Sequence, residues 1–164
     1  MNKKTVALTE EQYKTIIEII RSGFICSDGH AVKPNNRIAT VLVLEANLGL
    51  RISDVLQLRL SAIIHDGNRY RLDIVDNPAA KLFDISERTV QNHLQLVCNH
   101  LGLDHVSTHS FRKLFASSIY MNNGYNIELV RVLLQHSSAA TTQRYIGLQR
   151  REIEEALQKH IKLL

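Results

Sequence analysis

Tyr13, Ile16, Ile17 and Ile20 recur at helical spacing, which gathers them on one face. Thr9 stands just before this stripe with Gln12 three positions on, the pattern of a capping box, so a first helix is expected from about Glu10 to Arg21. A polar stretch from Ser22 to Asn36 follows. Beyond it Ile38, Val41, Leu42, Leu44 and Ala46 make a helix that is apolar on most sides and stops at Gly49, as befits the centre of a core. Ser53 is placed to cap a further short helix carrying Val55, Leu56 and Leu58, which puts Arg51 at its entrance.

The period then changes. Ile63 and Ile64, the turn residues Asp66, Gly67 and Asn68, and the run from Tyr70 to Val75 read as a β-hairpin. Pro78 interrupts it, and the run from Leu82 to Ile85 is expected as a third strand joined through Ala79, Ala80 and Lys81. From Ser86 onward the pattern is helical, broken at Gly102, near residues 122–124, at Ser137 and Ser138, and at Gly147. The expected fold class is therefore mainly α with a small antiparallel three-stranded β-sheet. With no repeats, low-complexity tracts or linker-like stretches, residues 1–164 are expected to form a single domain.

Composition narrows the field. A chain of 164 residues with 45% hydrophobic and 22% charged residues has the makings of a packed core. No apolar run is long enough to span a bilayer, and the first residues lack the apolar centre of a signal peptide, so a cytoplasmic location is expected. Cys26 and Cys98 lie too far apart for a CxxC pair and read as isolated thiols. His105 and His109 are four apart, but no third ligand accompanies them, so no metal or other cofactor is expected. The net charge of +4 suits a polyanionic partner without identifying one.

Three local groupings carry candidate chemistry: Asn47 to Asp54 with Leu48, Gly49 and Leu50 ahead of Arg51; Thr108, His109 and Arg112; and Leu133, Leu134, Gln135 and His136 followed by Thr142 and Tyr145. In this order, over about residues 36–147, the set resembles the catalytic domain of the tyrosine recombinase or phage integrase family. That family has an arginine after a Leu-Gly-Leu turn, a His-x-x-Arg pair on a helix, a Leu-Gly-His box and a nucleophilic tyrosine nine residues beyond it. Arg51, His109, Arg112, His136 and Tyr145 fall on the matching positions. The resemblance implies a DNA breaking-and-joining enzyme with double-stranded DNA as its partner.

The residue types suit that chemistry. A phenol attacking phosphorus gives a 3′-phosphotyrosine that conserves the phosphodiester energy, so rejoining needs neither nucleotide nor metal. The planar fork of arginine, charged at any working pH, fits a phosphate whose charge grows in the transition state, and Arg51 and Arg112 are the candidates. Thr108, expected as the N-cap, would place His109 and Arg112 on one helix face. By resemblance, His109 would assist the nucleophile's proton and His136 would hydrogen-bond the scissile phosphate. Each residue also has a bland reading: Tyr145 as a packing tyrosine, Arg51 as an ion pair with Asp54, His109 as an inconsequential helix-end histidine. The ordered set outweighs these.

Two departures stand out. Gln135 replaces the glycine usual before the second histidine. Where the family places a catalytic lysine in the turn between the second and third strands, only Lys81 is available, either as general acid for the leaving 5′ oxygen or as a generic phosphate contact. The family commonly adds an N-terminal helical domain gripping the opposite face of DNA, and no segment here reads as one, so weak DNA binding is expected. The stripe Ile153, Ala156, Leu157, Ile161 and Leu164 implies, again by resemblance, self-assembly on DNA through a C-terminal helix, with packing within one chain as the alternative. A non-catalytic DNA-binding module and a regulatory relative with the same fold remain as rival readings.

Overall fold

The structure is a computed structural model, and it describes residues 5–62 and 79–146. These residues fall into two compact units, one ending at Phe115 and the other beginning at Ala116.

In the first unit, α1 (Glu10–Ser22) opens with both arms of the expected capping box, Thr9 accepting from the Gln12 backbone and Gln12 accepting from that of Thr9. Helix α2 (Asn36–Leu48) follows, capped by the Asn35 side chain and closed by Gly49 in the left-handed conformation. Next come α3 (Ile52–Gln57), a single 3₁₀ turn (Leu60–Ala62) and α4 (Glu87–Leu101), whose N-cap is Ser86. Helix α1 packs on α2 and α4, and α3 on α2 and α4. Their apolar faces bury one core, with Ile16, Ile20, Leu42, Val55, Val90, Leu94 and Phe111 at its centre. Burying a side chain of this size contributes roughly 1.5–3 kcal/mol.

Helix α5 (Thr108–Asn122) runs through the division between the units. Ser107 precedes it and donates its backbone N–H to the Ser110 hydroxyl, the returning arm of a capping box; Thr108 is the first helical residue and not the cap. The second unit continues with α6 (Ile127–Leu133), capped by Asn126, and α7 (Ala139–Ile146), which pack against each other.

The sheet differs from expectation. The described residues hold a two-stranded antiparallel sheet, β1 (Phe24–Ile25) with β2 (Ala31–Val32), inside the stretch read as merely polar. Asp28 and Gly29, with Gly29 at φ +84°, form its turn, and Asp28 accepts from the His30 backbone. The expected hairpin at residues 63–75 lies outside the described residues. The expected third strand at Leu82 to Ile85 does not form: pairing is confined to one bridge between Arg59 and Lys81, and residues 83–86 carry no strand structure. Ser53 is likewise not a cap, because α3 begins one residue earlier and Arg51 occupies the N-cap position without a side-chain hydrogen bond.

Candidate active site

The first unit assembles its candidates around the turn that ends α2. Gly49 has φ +63°, and a Cβ there would fall onto the Phe115 ring, so both conformation and space demand glycine. Its backbone N–H returns to Glu45 and its carbonyl accepts from Arg112 Nη1 at 2.6 Å. The chain then extends through Leu50 to Arg51, whose carbonyl receives the Asp54 and Val55 amides that start α3. Arg51 is thus held by its backbone while its side chain is exposed. No ion pair joins it to Asp54 among the described residues, which removes the bland reading of that arginine.

Arg112 is nearly buried, at 4% exposure, whereas His109, one turn earlier on α5, is exposed. A buried guanidinium tied to the carbonyl two residues before Arg51 makes the Gly49 turn a common mount for both arginines.

Glu45 was missed by the sequence reading. It is fully buried within the otherwise apolar face of α2, and its carboxyl oxygens have no hydrogen-bond partner. Burial pushes this carboxyl up to about 9, with the nearby Arg112 charge pulling the other way and Glu87 adding to the rise. At neutral pH Glu45 is therefore uncharged. The signal that could have found it is one acidic residue on the core side of an apolar helix, four positions before the glycine.

Among the described residues no hydrogen bond or ion pair joins Lys81 to this group. This lysine is exposed, with its backbone paired to Arg59 between two flanking bonds, Leu60 N–H to the Ala80 carbonyl at 3.2 Å and Leu82 N–H to the Leu58 carbonyl at 2.9 Å. The Arg59 guanidinium turns to the Ala79 carbonyl, so two basic residues share this edge.

In the second unit, α6 ends in a Schellman motif: Gln135 donates its N–H to the Val132 carbonyl and His136 donates its own to that of Arg131, each at 3.0 Å. Gln135, standing where the resembled family has glycine, takes φ +56° to make this turn. The His136 carbonyl in turn accepts from Arg131 Nη1 at 3.0 Å, and Arg131 is paired with Glu128. The His136 ring lies 3.1 Å from the buried Thr142 hydroxyl through Nδ1, and meets the half-buried Tyr145 ring edge-to-face at 5.2 Å between centroids. Thr142 and Tyr145 are one turn apart on α7.

The phage integrase family profile matches residues 80–152, a span holding Lys81, His109, Arg112, His136 and Tyr145. The tyrosine recombinase XerD of Rickettsia bellii is 25% identical over 206 aligned positions, which take in 97% of this chain and 65% of that protein. Over these spans the chain is similar to the phage integrase family and to XerD recombinases. Shorter similarities connect it to other relatives: 29% identity over 84 residues with the XerD of Shewanella oneidensis, covering 51% of this chain and 28% of that one. A probable integrase/recombinase of Acholeplasma phage L2 is 45% identical over 47 residues, 29% of this chain and 16% of that one. The crystal structure of XerA recombinase shares the fold, with a TM-score of 0.65 at 21% identity, over 96% of this chain and 66% of the other.

The chain thus spans 65% of the length of its Rickettsia bellii relative, and the 206-position alignment exceeds its own 164 residues, so the relative holds stretches without counterpart here. Among the described residues no helix is long and apolar enough to cross a membrane.

Proposed function

We propose that this chain carries the strand-cleaving and strand-joining chemistry of a site-specific DNA recombinase, with Tyr145 as nucleophile. The observation that carries the reading is the mounting of His136 and Tyr145 ring against ring by a helix-ending turn and one face of α7. Tyr145 Oη attacks a DNA phosphorus, the P–O5′ bond breaks, and a 3′-phosphotyrosine forms; the phenolic proton passes toward His109, and the leaving 5′ oxygen takes a proton from Lys81. Arg51, Arg112 and His136 stabilise the charge on the non-bridging oxygens. Rejoining is the same step reversed, with the 5′ hydroxyl as nucleophile and Tyr145 as leaving group.

The ordered residue set and the family relatives support this reading. Double-stranded DNA is the proposed partner and the cytoplasm the proposed location. Self-assembly through residues 153–164, which lie outside the described residues, belongs to the same proposal. Lys81, exposed and with its backbone paired to Arg59, favours one second reading: a relative that keeps the fold to bind DNA without cutting it. A suicide DNA substrate, whose nicked 5′ fragment diffuses away after attack, separates the two. The first predicts a covalent protein–DNA adduct that forms in EDTA without nucleotide; non-covalent binding alone would establish the second.

A further inference from the structure

His136 is held at its backbone by the Schellman motif and by Arg131, and at its ring by Thr142. Thr142 stands in the third grouping along the chain but has no role assigned to it there. It is fully buried, at 0% exposure, so water does not substitute for its partners. A hydroxyl carries one proton. Thr142 Oγ1 lies 3.3 Å from the Ser138 carbonyl oxygen, which can only accept, one helical turn back on its own chain. With its proton committed there, Oγ1 meets His136 Nδ1, at 3.1 Å, as an acceptor.

We propose that Thr142 is a positioning residue that keeps the proton of neutral His136 on Nδ1, so that its Nε2 carries the lone pair. The consequence for the reaction rests on the reading of His136 as a phosphate ligand. In that tautomer Nε2 does not donate to a phosphate oxygen until the ring takes up a second proton. It then donates as an imidazolium, a charge-assisted bond of roughly twice the strength of a neutral one. The proton stays on Nδ1, donated to Thr142 Oγ1 throughout, so the ring gains a second proton at Nε2 without rotating. Because Thr142 and Tyr145 share one face of α7, the same helix turn sets the histidine's protonation and presents the nucleophile.

The test combines ring spectroscopy with cleavage. In ¹⁵N NMR of histidine-labelled protein without DNA, at a pH where the imidazole is neutral, His136 Nδ1 is expected to be protonated and Nε2 bare. Thr142→Val, which keeps the shape and removes the acceptor, should move the population toward the Nε2–H tautomer, and Thr142→Ser should restore it. Adduct formation on a suicide substrate should fall about tenfold or more in the valine variant, the effect of losing one hydrogen bond to a charged group, and recover in the serine variant. A bare Nδ1 in the wild-type protein, or a valine variant with an unchanged tautomer, would overturn the proposal. If the valine variant does not fold, the wild-type and serine spectra still decide, since both must show Nδ1–H. Failure of the wild-type chain to form an adduct would strike at the proposed function instead, while the spectra continue to report on Thr142.

Discussion

Replacing Gln135 by glycine should stabilise the protein, and the size of the gain follows from one dihedral angle. Gln135 has φ +56° because the turn after α6 needs a left-handed residue to send the His136 N–H back to Arg131. An L-residue with a Cβ pays roughly 1–2 kcal/mol in that conformation. Glycine escapes this penalty but is freer in the unfolded chain, which costs back roughly 0.4–1 kcal/mol. The net expectation for Gln135→Gly is a gain of about 0.5–1 kcal/mol, or a Tm higher by roughly 1–4 °C for a chain of this size. Thermal and urea unfolding would measure it, with Gln135→Ala as the control that keeps the Cβ and should gain nothing. Hydrogen exchange at the His136 amide should be as slow in the glycine variant as in the wild type, showing that the turn is unchanged. A glycine variant no more stable than the alanine variant would refute the strain argument.

Three further outcomes are expected. Glu45 holds its proton up to about 9 in the folded chain against a usual 4.5, so stability should be greatest below the lower value and fall as pH rises toward the higher, by about 1.4 kcal/mol per unit within that window. Urea midpoints against pH should show this slope in the wild type and lose it in Glu45→Gln; equal slopes would place the effect elsewhere. Gly49→Ala should destabilise by about 2–4 kcal/mol, from the left-handed conformation and the clash with Phe115 together, and a variant unfolding at the wild-type midpoint would contradict both. Lys81→Ala should cleave ordinary DNA slowly yet recover on a 5′-bridging phosphorothiolate, whose sulfur leaves without a proton; equal impairment on both substrates would remove Lys81 as the acid.

The helices were legible because their signals are local. The capping box at Thr9, the glycine stops at Gly49 and Gly102 and the cap at Ser86 each fix a boundary through neighbouring backbone groups. The small sheet was not, since its two-residue strands carry too little alternation to register, and only Asp28 and Gly29 betrayed the turn. The cap assignments at Ser53 and Thr108 were each off by a residue or more, because several hydroxyl residues lie close enough to serve and only backbone geometry chooses. The candidates Arg51, His109, Arg112, His136 and Tyr145 came from their ordered resemblance to the tyrosine recombinase or phage integrase family. Thr142 could not be found this way, because its importance lies in burial and in a contact with His136 that periodicity does not pair with it, and Glu45 was open to detection only as a lone acid on an apolar helix face. Lys81 shows the opposite limit: with one lysine in the expected interval its choice was forced, and its partner is Arg59.

The most direct test of the central claim is to locate the covalent bond. The protein would be trapped on a suicide substrate and digested, and the nucleotide-bearing peptide sequenced by mass spectrometry, for the wild type and for Tyr145→Phe. The account predicts a 3′-linked nucleotide on Tyr145 in the wild type, and in the phenylalanine variant no adduct despite unchanged folding and DNA binding. A nucleotide on any other residue, or an adduct persisting in Tyr145→Phe, would contradict it.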